Sequence, residues 1–317
     1  MNHGNAPLAT APVVWWGTMP TAVLLTCHGS VEDLADLPAF ITNIRHGQPT
    51  PPAMLDEVVR RYTRIGGSPL MRETAEQARA LEARLDGVRV AFAGRLWKPF
   101  PIDVLRGLRE DGIDRVISLP LAPQSVHIYN TAVRAAAAEI GDLQIVEAPS
   151  WGLEPALLDA CVETVDEGIA GLPEDARRGA VVVLSAHALP RRVIEAGDPY
   201  EKDFRAMAAE VTTRLASRDI KTRVAFQSQG MGGGAWLGPD LATTFAAIAA
   251  TGVTSVVIAP IGFVADHVET LYDLDLEAPF AAKRAGIVNL SRAPAFNARP
   301  RFIDALEAVA RRALAIS

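Results

Sequence analysis

The feature that most limits what this chain can fold into is a regular alternation of short apolar runs with amphipathic stretches. About eight runs bounded by turn residues read as strands: residues 22–27, 88–93, 115–121, 143–147, 180–186, 223–227, 255–260 and 286–290. Helical periodicity fills most of the gaps, over 74–85, 102–111, 130–140, 202–216 and 239–250. Strands joined by helical crossovers run parallel, and the crossovers cover both faces of the sheet. The runs divide four and four around a polar segment at 171–179.

The two halves echo each other. The first strand of each ends in a histidine between small residues, Thr26-Cys27-His28-Gly29 and Ser185-Ala186-His187-Ala188. The third strands end in Leu119-Pro120-Leu121-Ala122-Pro123 and Ile258-Ala259-Pro260-Ile261-Gly262. The expected fold is therefore α/β: two similar Rossmann-like domains, each with a four-stranded parallel sheet, facing across a cleft. Residues 20–170 and 171–302 would form the domains, and a terminal helix within 303–317 would pack back on the first. Open parallel sheets bind ligands beyond the carboxyl ends of their strands, which puts both histidines at the cleft.

Composition narrows the function. The balance of 49% hydrophobic and 21% charged residues is that of a globular chain with a real core. A net charge of −6 argues against general nucleic-acid binding. The only cysteines, Cys27 and Cys161, are too few for a disulfide framework or an iron–sulfur cluster held by four thiolates, and they fit a reducing compartment. No apolar run reaches the roughly 18 residues that cross a bilayer. Residues 1–31 lack Lys, Arg, Asp and Glu, unlike a secretory signal. Residues 1–19 read as a disordered leader, with Met19 a conceivable natural start.

Three segments carry candidate chemistry. Ser185-Ala186-His187-Ala188-Leu189-Pro190 places a histidine at the end of a buried strand, where it is either a satisfied structural residue or a ligand. Segment 262–277 follows a strand end and starts a helix. Its Glu269, Asp273 and Glu277 are spaced by four and would stack on one face, either as a solvated row or as a cation path. Asp266 and His267 would fall on other faces. A basic and hydroxyl group, with Arg45, Arg61, Tyr62 and Ser68 around a Gly66-Gly67-Ser68-Pro69 turn, could grip an acidic flat ligand. The Gly-rich stretch 230–238 lacks the Lys-Ser/Thr of a phosphate loop, and no dinucleotide fingerprint follows the first strand.

In this order, 61–70, 120–129, 185–190 with 197–200, 227–228 with 236–239, and 262–273, the segments resemble the ferrochelatase family over nearly the whole chain. The resemblance implies a chelatase-like fold and insertion of Fe2+ into a porphyrin during haem biosynthesis. It implies His187 and Glu269 as catalytic residues and metal ligands, with Asp273 and Glu277 passing metal inward. His28, Arg45, Arg61, Tyr62, Ser68 and Tyr129 match porphyrin-site positions. No cofactor beyond the substrate iron is implied. A cytoplasmic enzyme is the expectation, with peripheral membrane contact and transient contact with neighbouring haem-pathway enzymes as options.

Segments 125–130 and 262–273 look most like the short bacterial enzymes that metallate coproporphyrin III, favouring it over protoporphyrin IX. Two departures stand out. The Gly66-Gly67-Ser68-Pro69 turn is one residue shorter than in relatives, and the family's Gly-Thr-Pro turn is Gly29-Ser30-Val31 here, preceded by His28 where relatives have tyrosine or leucine. An imidazole there is either an axial iron ligand or a hydrogen-bonded structural group. The alternatives are a cobalt-loading tetrapyrrole chelatase and a non-catalytic haem or metal carrier.

Overall fold

The computed structural model of the chain describes residues 19–230 and 234–316. The leader up to residue 18, the centre of the Gly-rich stretch (231–233) and Ser317 lie outside the described residues. The first half runs β1 (Thr21–Cys27), α1 (Leu37–Ile44), α2 (Pro52–Ile65), α3 (Leu70–Glu82), β2 (Arg89–Gly94), α4 (Pro101–Glu110), β3 (Arg115–Pro120), α5 (Val126–Ile140) and β4 (Gln144–Glu147). Then come α6 (Pro155–Ala170) and the short α7 (Glu174–Arg177). The second half runs β5 (Val181–His187), α8 (Arg191–Glu195), α9 (Tyr200–Ala216), β6 (Lys221–Gln227), α10 (Leu241–Ala249), β7 (Ser255–Ala259), α11 (Val268–Leu271), α12 (Ala278–Ala285), β8 (Asn289–Arg292) and α13 (Pro300–Leu314).

Both sheets are parallel and share one strand order, β2-β1-β3-β4 and β6-β5-β7-β8. In each, the chain reverses its direction of winding beside the first strand, so a crevice opens at the carboxyl ends of β1 and β3 and of β5 and β7. The period of two in the strands explains how both faces are buried. Ala22 and Leu24 enter an outer core with α4 and α5, while Val23 and Leu25 point into the central core. Likewise Val181 and Val183 face an outer core, and Val182, Leu184 and Ala186 the central one. That central core is continuous across both halves, so the two sheets are bonded through shared apolar packing.

The helix before the expected boundary at 171, α6, lies on β7 and β8 of the second sheet. Gly168 permits the approach: a Cβ there would meet Val257 at 2.6 Å and Ala293 at 3.0 Å. The last strand is Asn289–Arg292, not 286–290. Gly286 adopts a left-handed φ of 92° that ends α12, and Ile287 is buried in the outer core before the strand begins. The terminal helix α13 packs on α3 and β3 of the first half and on α6.

The loop after β7 comes against the end of β5. Gly262 N–H donates to the Ser185 carbonyl at 3.0 Å. A Cβ on Gly262 would lie 2.4 Å from the Ala186 Cβ and 2.8 Å from its Cα. Neither atom can move without shifting a central strand. Gly262→Ala should therefore lower the unfolding free energy by about 1–3 kcal/mol. Denaturant titration measures this, and an unchanged midpoint would contradict the tight contact.

Candidate active site

The end of β5 and the start of α11 bring His187 and Glu269 together. Buried β5 neighbours fix the strand, and Tyr200 Oη donates to the His187 carbonyl at 2.9 Å. His187 Nδ1 bonds Glu269 Oε2 at 3.0 Å. A carboxylate oxygen accepts, so Nδ1 carries the proton and Nε2 is the nitrogen left for a substrate. The Glu269 carbonyl accepts from Gln227 Nε2 at 3.1 Å, and Gln227 Oε1 accepts from Ser185 Oγ at 2.8 Å. This buried side-chain ladder ties β5 and β6 to the loop that presents Glu269.

His267 completes the group, with Nε2 3.6 Å from Glu269 Oε2. The helical-face reading placed it elsewhere. His267 precedes α11 in an extended conformation, φ −160° and ψ −173°, so helical spacing does not govern its direction. Its ring lies 5.0 Å from that of Phe263.

The acidic row also departs from expectation. Residues Asp273–Glu277 form a π-helical turn, in which Glu277 N–H reaches back to the Tyr272 carbonyl at 3.1 Å. The wider turn breaks the four-residue stacking. Asp273 is buried and accepts from Arg61 Nη1 at 2.9 Å and from Ser228 Oγ. Glu277 is half-exposed, 3.8 Å from Arg61, and lines neither cavity described below. The four residues expected to ligate metal are thus brought together only as the His187–Glu269 pair. Among the described residues, no group of three or more His, Cys, Asp or Glu side chains is arranged to hold a metal ion.

Electrostatics follow from this packing. Burial alone would lower the His187 pKa, but the neighbouring Glu269 carboxylate outweighs it and holds the ring above the ordinary histidine value. Burial would raise Glu269, yet His187 and then His267 bring it well below the usual carboxylate range. Burial pushes Asp273 up to about 6, against the Ser228 hydrogen bond. His28 is lowered to about 4, first by desolvation among the residues packed round it even though its side chain opens onto the cleft, with Arg95 adding to the effect. Its Nδ1 donates to the Gly29 carbonyl at 3.1 Å, which leaves a neutral ring with its lone pair on Nε2.

The cleft has two lobes. The larger, about 790 Å³, is lined by His28, Arg45, Arg61, Tyr62 and Ser68 together with Glu269 and Asp273. The smaller, about 390 Å³, is lined by His187 and Tyr129. His28, Leu70, His267 and Glu269 line both. Tyr62 is buried with its hydroxyl 2.9 Å from Ser30 Oγ, and Arg95 lies over the Tyr129 ring at 5.6 Å. Arg61 is less free than its sequence suggests, since Nε also donates to Glu57 at 2.7 Å.

A family model described as Ferrochelatase matches residues 20–314. This chain belongs to the ferrochelatase family. It is 36% identical over 299 residues to the coproporphyrin III ferrochelatase of Geobacillus sp. (strain WCH70), covering 90% of this chain and 96% of that protein. It is 35% identical over 303 residues to a ferrochelatase of Deinococcus radiodurans, covering 92% and 96%. In fold alone it is similar to SirB from Bacillus subtilis with Fe3+, at a TM-score of 0.59, 15% identity, and coverage of 94% of this chain and 96% of that one. As a ferrochelatase, the enzyme inserts iron into a porphyrin. No described helix is long and apolar enough to cross a membrane.

The His187–Glu269 pair makes a measurable statement about charge. In the metal-free ferrochelatase the His187 ring should titrate above 6.5. In Glu269→Gln the burial remains but the charge is gone, so the midpoint should fall below 6.5. NMR of the ring protons follows both, and equal midpoints would contradict the pairing.

Proposed function

We propose that this enzyme inserts Fe2+ into coproporphyrin III, with His187 and Glu269 as the catalytic pair. The observation that carries the site is the 3.0 Å bond between them at the carboxyl ends of β5 and β7. Metallation removes two pyrrole protons and strips water from the ion. Neutral His187 takes one pyrrole proton through Nε2, Glu269 stabilises the imidazolium that forms, and once that proton passes to solvent the same nitrogen takes the second. The freed pyrrole nitrogens then close on the metal. The larger lobe receives the macrocycle, with Tyr62, Ser68 and Arg45 on its walls and Tyr129 in the adjoining lobe. Asp273 relays the cation and Glu277 marks the outer end of that route. Arg61 tempers the row, holding Asp273 ready without letting it trap the ion. His28 offers its Nε2 lone pair as an axial ligand to product iron. The coproporphyrin reading draws on the relatives that carry that substrate in their names.

No cofactor beyond the substrate iron, and no iron–sulfur cluster, is part of the proposed reaction; both cysteines, Cys27 and Cys161, are free and buried. The same thiols fit a cytoplasmic setting, with peripheral membrane contact and brief handover to neighbouring haem-pathway enzymes as part of the proposal.

Anaerobic insertion kinetics alongside porphyrin binding test the assignment. His187→Ala should slow insertion at least about a hundredfold while leaving porphyrin binding largely intact. Glu269→Gln should also cripple turnover, and Asp273→Asn should mainly raise the iron concentration required. In the wild type the rate should fall in acid, because the raised His187 pKa keeps the ring protonated until the pH exceeds the ordinary histidine value. Normal insertion by His187→Ala would overturn the site.

A further inference from the structure

We propose that Arg191 and Arg192 form a carboxylate-binding edge of the larger cavity, one that selects a four-carboxylate porphyrin over a two-carboxylate one. This rests on the coproporphyrin reading and identifies where its extra charges are held. Four arginines line the cavity: Arg45, Arg61, Arg191 and Arg192. Arg61 is committed to Asp273 at 2.9 Å and to Glu57 at 2.7 Å. Arg45 gives Nε to the Pro49 carbonyl at 3.1 Å, a neutral partner that leaves its charge uncompensated. Among the described residues no carboxylate comes within salt-bridge distance of Arg191 or Arg192. Glu195 sits on the same short helix at the spacings that normally pair, yet it stands apart from both.

Their position is built rather than incidental. Arg191 N–H donates to the Ala235 carbonyl at 2.8 Å, and Leu237 N–H donates to the Leu189 carbonyl at 2.9 Å. Between these bonds Pro190 and Trp236 form an antiparallel bridge. The start of α8 is thereby stitched to the segment that carries Trp236, which lines the same cavity. The indole packs so closely on Gly230 that a Cβ there would lie 2.8 Å from the ring. The second half thus offers a flat aromatic wall with two uncompensated guanidinium groups beside it. Arg45 supplies a further cation from the first half. A flat macrocycle with carboxylates on several edges matches that distribution, since guanidinium forks bind carboxylates bidentately.

The test is porphyrin affinity by fluorescence quenching, for coproporphyrin III and for protoporphyrin IX, at low and high salt. The wild type should prefer coproporphyrin III, and the Arg191→Gln/Arg192→Gln enzyme should lose roughly tenfold in affinity for it. Protoporphyrin affinity should change far less, and the salt dependence of coproporphyrin binding should flatten. Arg191→Lys/Arg192→Lys keeps the charge and should retain much of the preference. A wild type that prefers coproporphyrin III with a Gln variant that keeps the full preference overturns this edge alone. A wild type that binds both porphyrins alike overturns the substrate reading and the edge with it.

Discussion

One hydrogen bond joins a strand end to a helix start, and the chemistry of the cleft is organised around it. His187 is delivered by β5, whose inward residues belong to a core shared by both halves. Glu269 is delivered by the loop after β7, held by Gln227 and by the close packing of Gly262 on Ala186. Neither residue can drift without disturbing a buried strand. This is the preorganisation that the proposed proton-accepting role of the pair requires, because geometry set during folding need not be re-established at each turnover. The 3.0 Å separation also couples the two charges: each partner moves the other's pKa towards ionisation, against the pull of burial.

A second link crosses between the halves. Arg61 on α2 reaches Asp273 in the π-helical turn, and Gln77 on α3 donates to the carbonyls of Val264 and Asn297. The first half therefore does more than wall the cavity. It places a cation in the acidic row and braces the loop that leads to Glu269. Like charges spaced along one helix repel, and here the guanidinium and the wider turn relieve that repulsion.

Much of this was legible in the chain. Strand–helix alternation gave eight strands in two groups of four, because parallel sheets buried on both faces leave uninterrupted apolar runs such as Val181-Val182-Val183-Leu184. The histidine at the end of each first strand marked the cleft. What escaped the reading depended on local backbone or long-range packing. His267 looked peripheral because regular helical spacing was assumed through a position that is extended. The acidic row looked regular because a π-turn has no simple spacing signature. Arg61 looked free because its partner is 212 residues away in sequence. Apolar Ile287 has the look of a strand residue, yet it packs in the outer core ahead of the last strand. The arginines of α8 carried no motif and gain meaning only from the cavity they line.

The most direct measurement is an experimental structure of the enzyme with metal-free coproporphyrin III bound. The account predicts a macrocycle reaching from the larger lobe to where the two lobes meet, with its pyrrole nitrogens over the His187 ring and Glu269. A macrocycle whose centre lies away from that pair, or one seated outside the cleft, would contradict it.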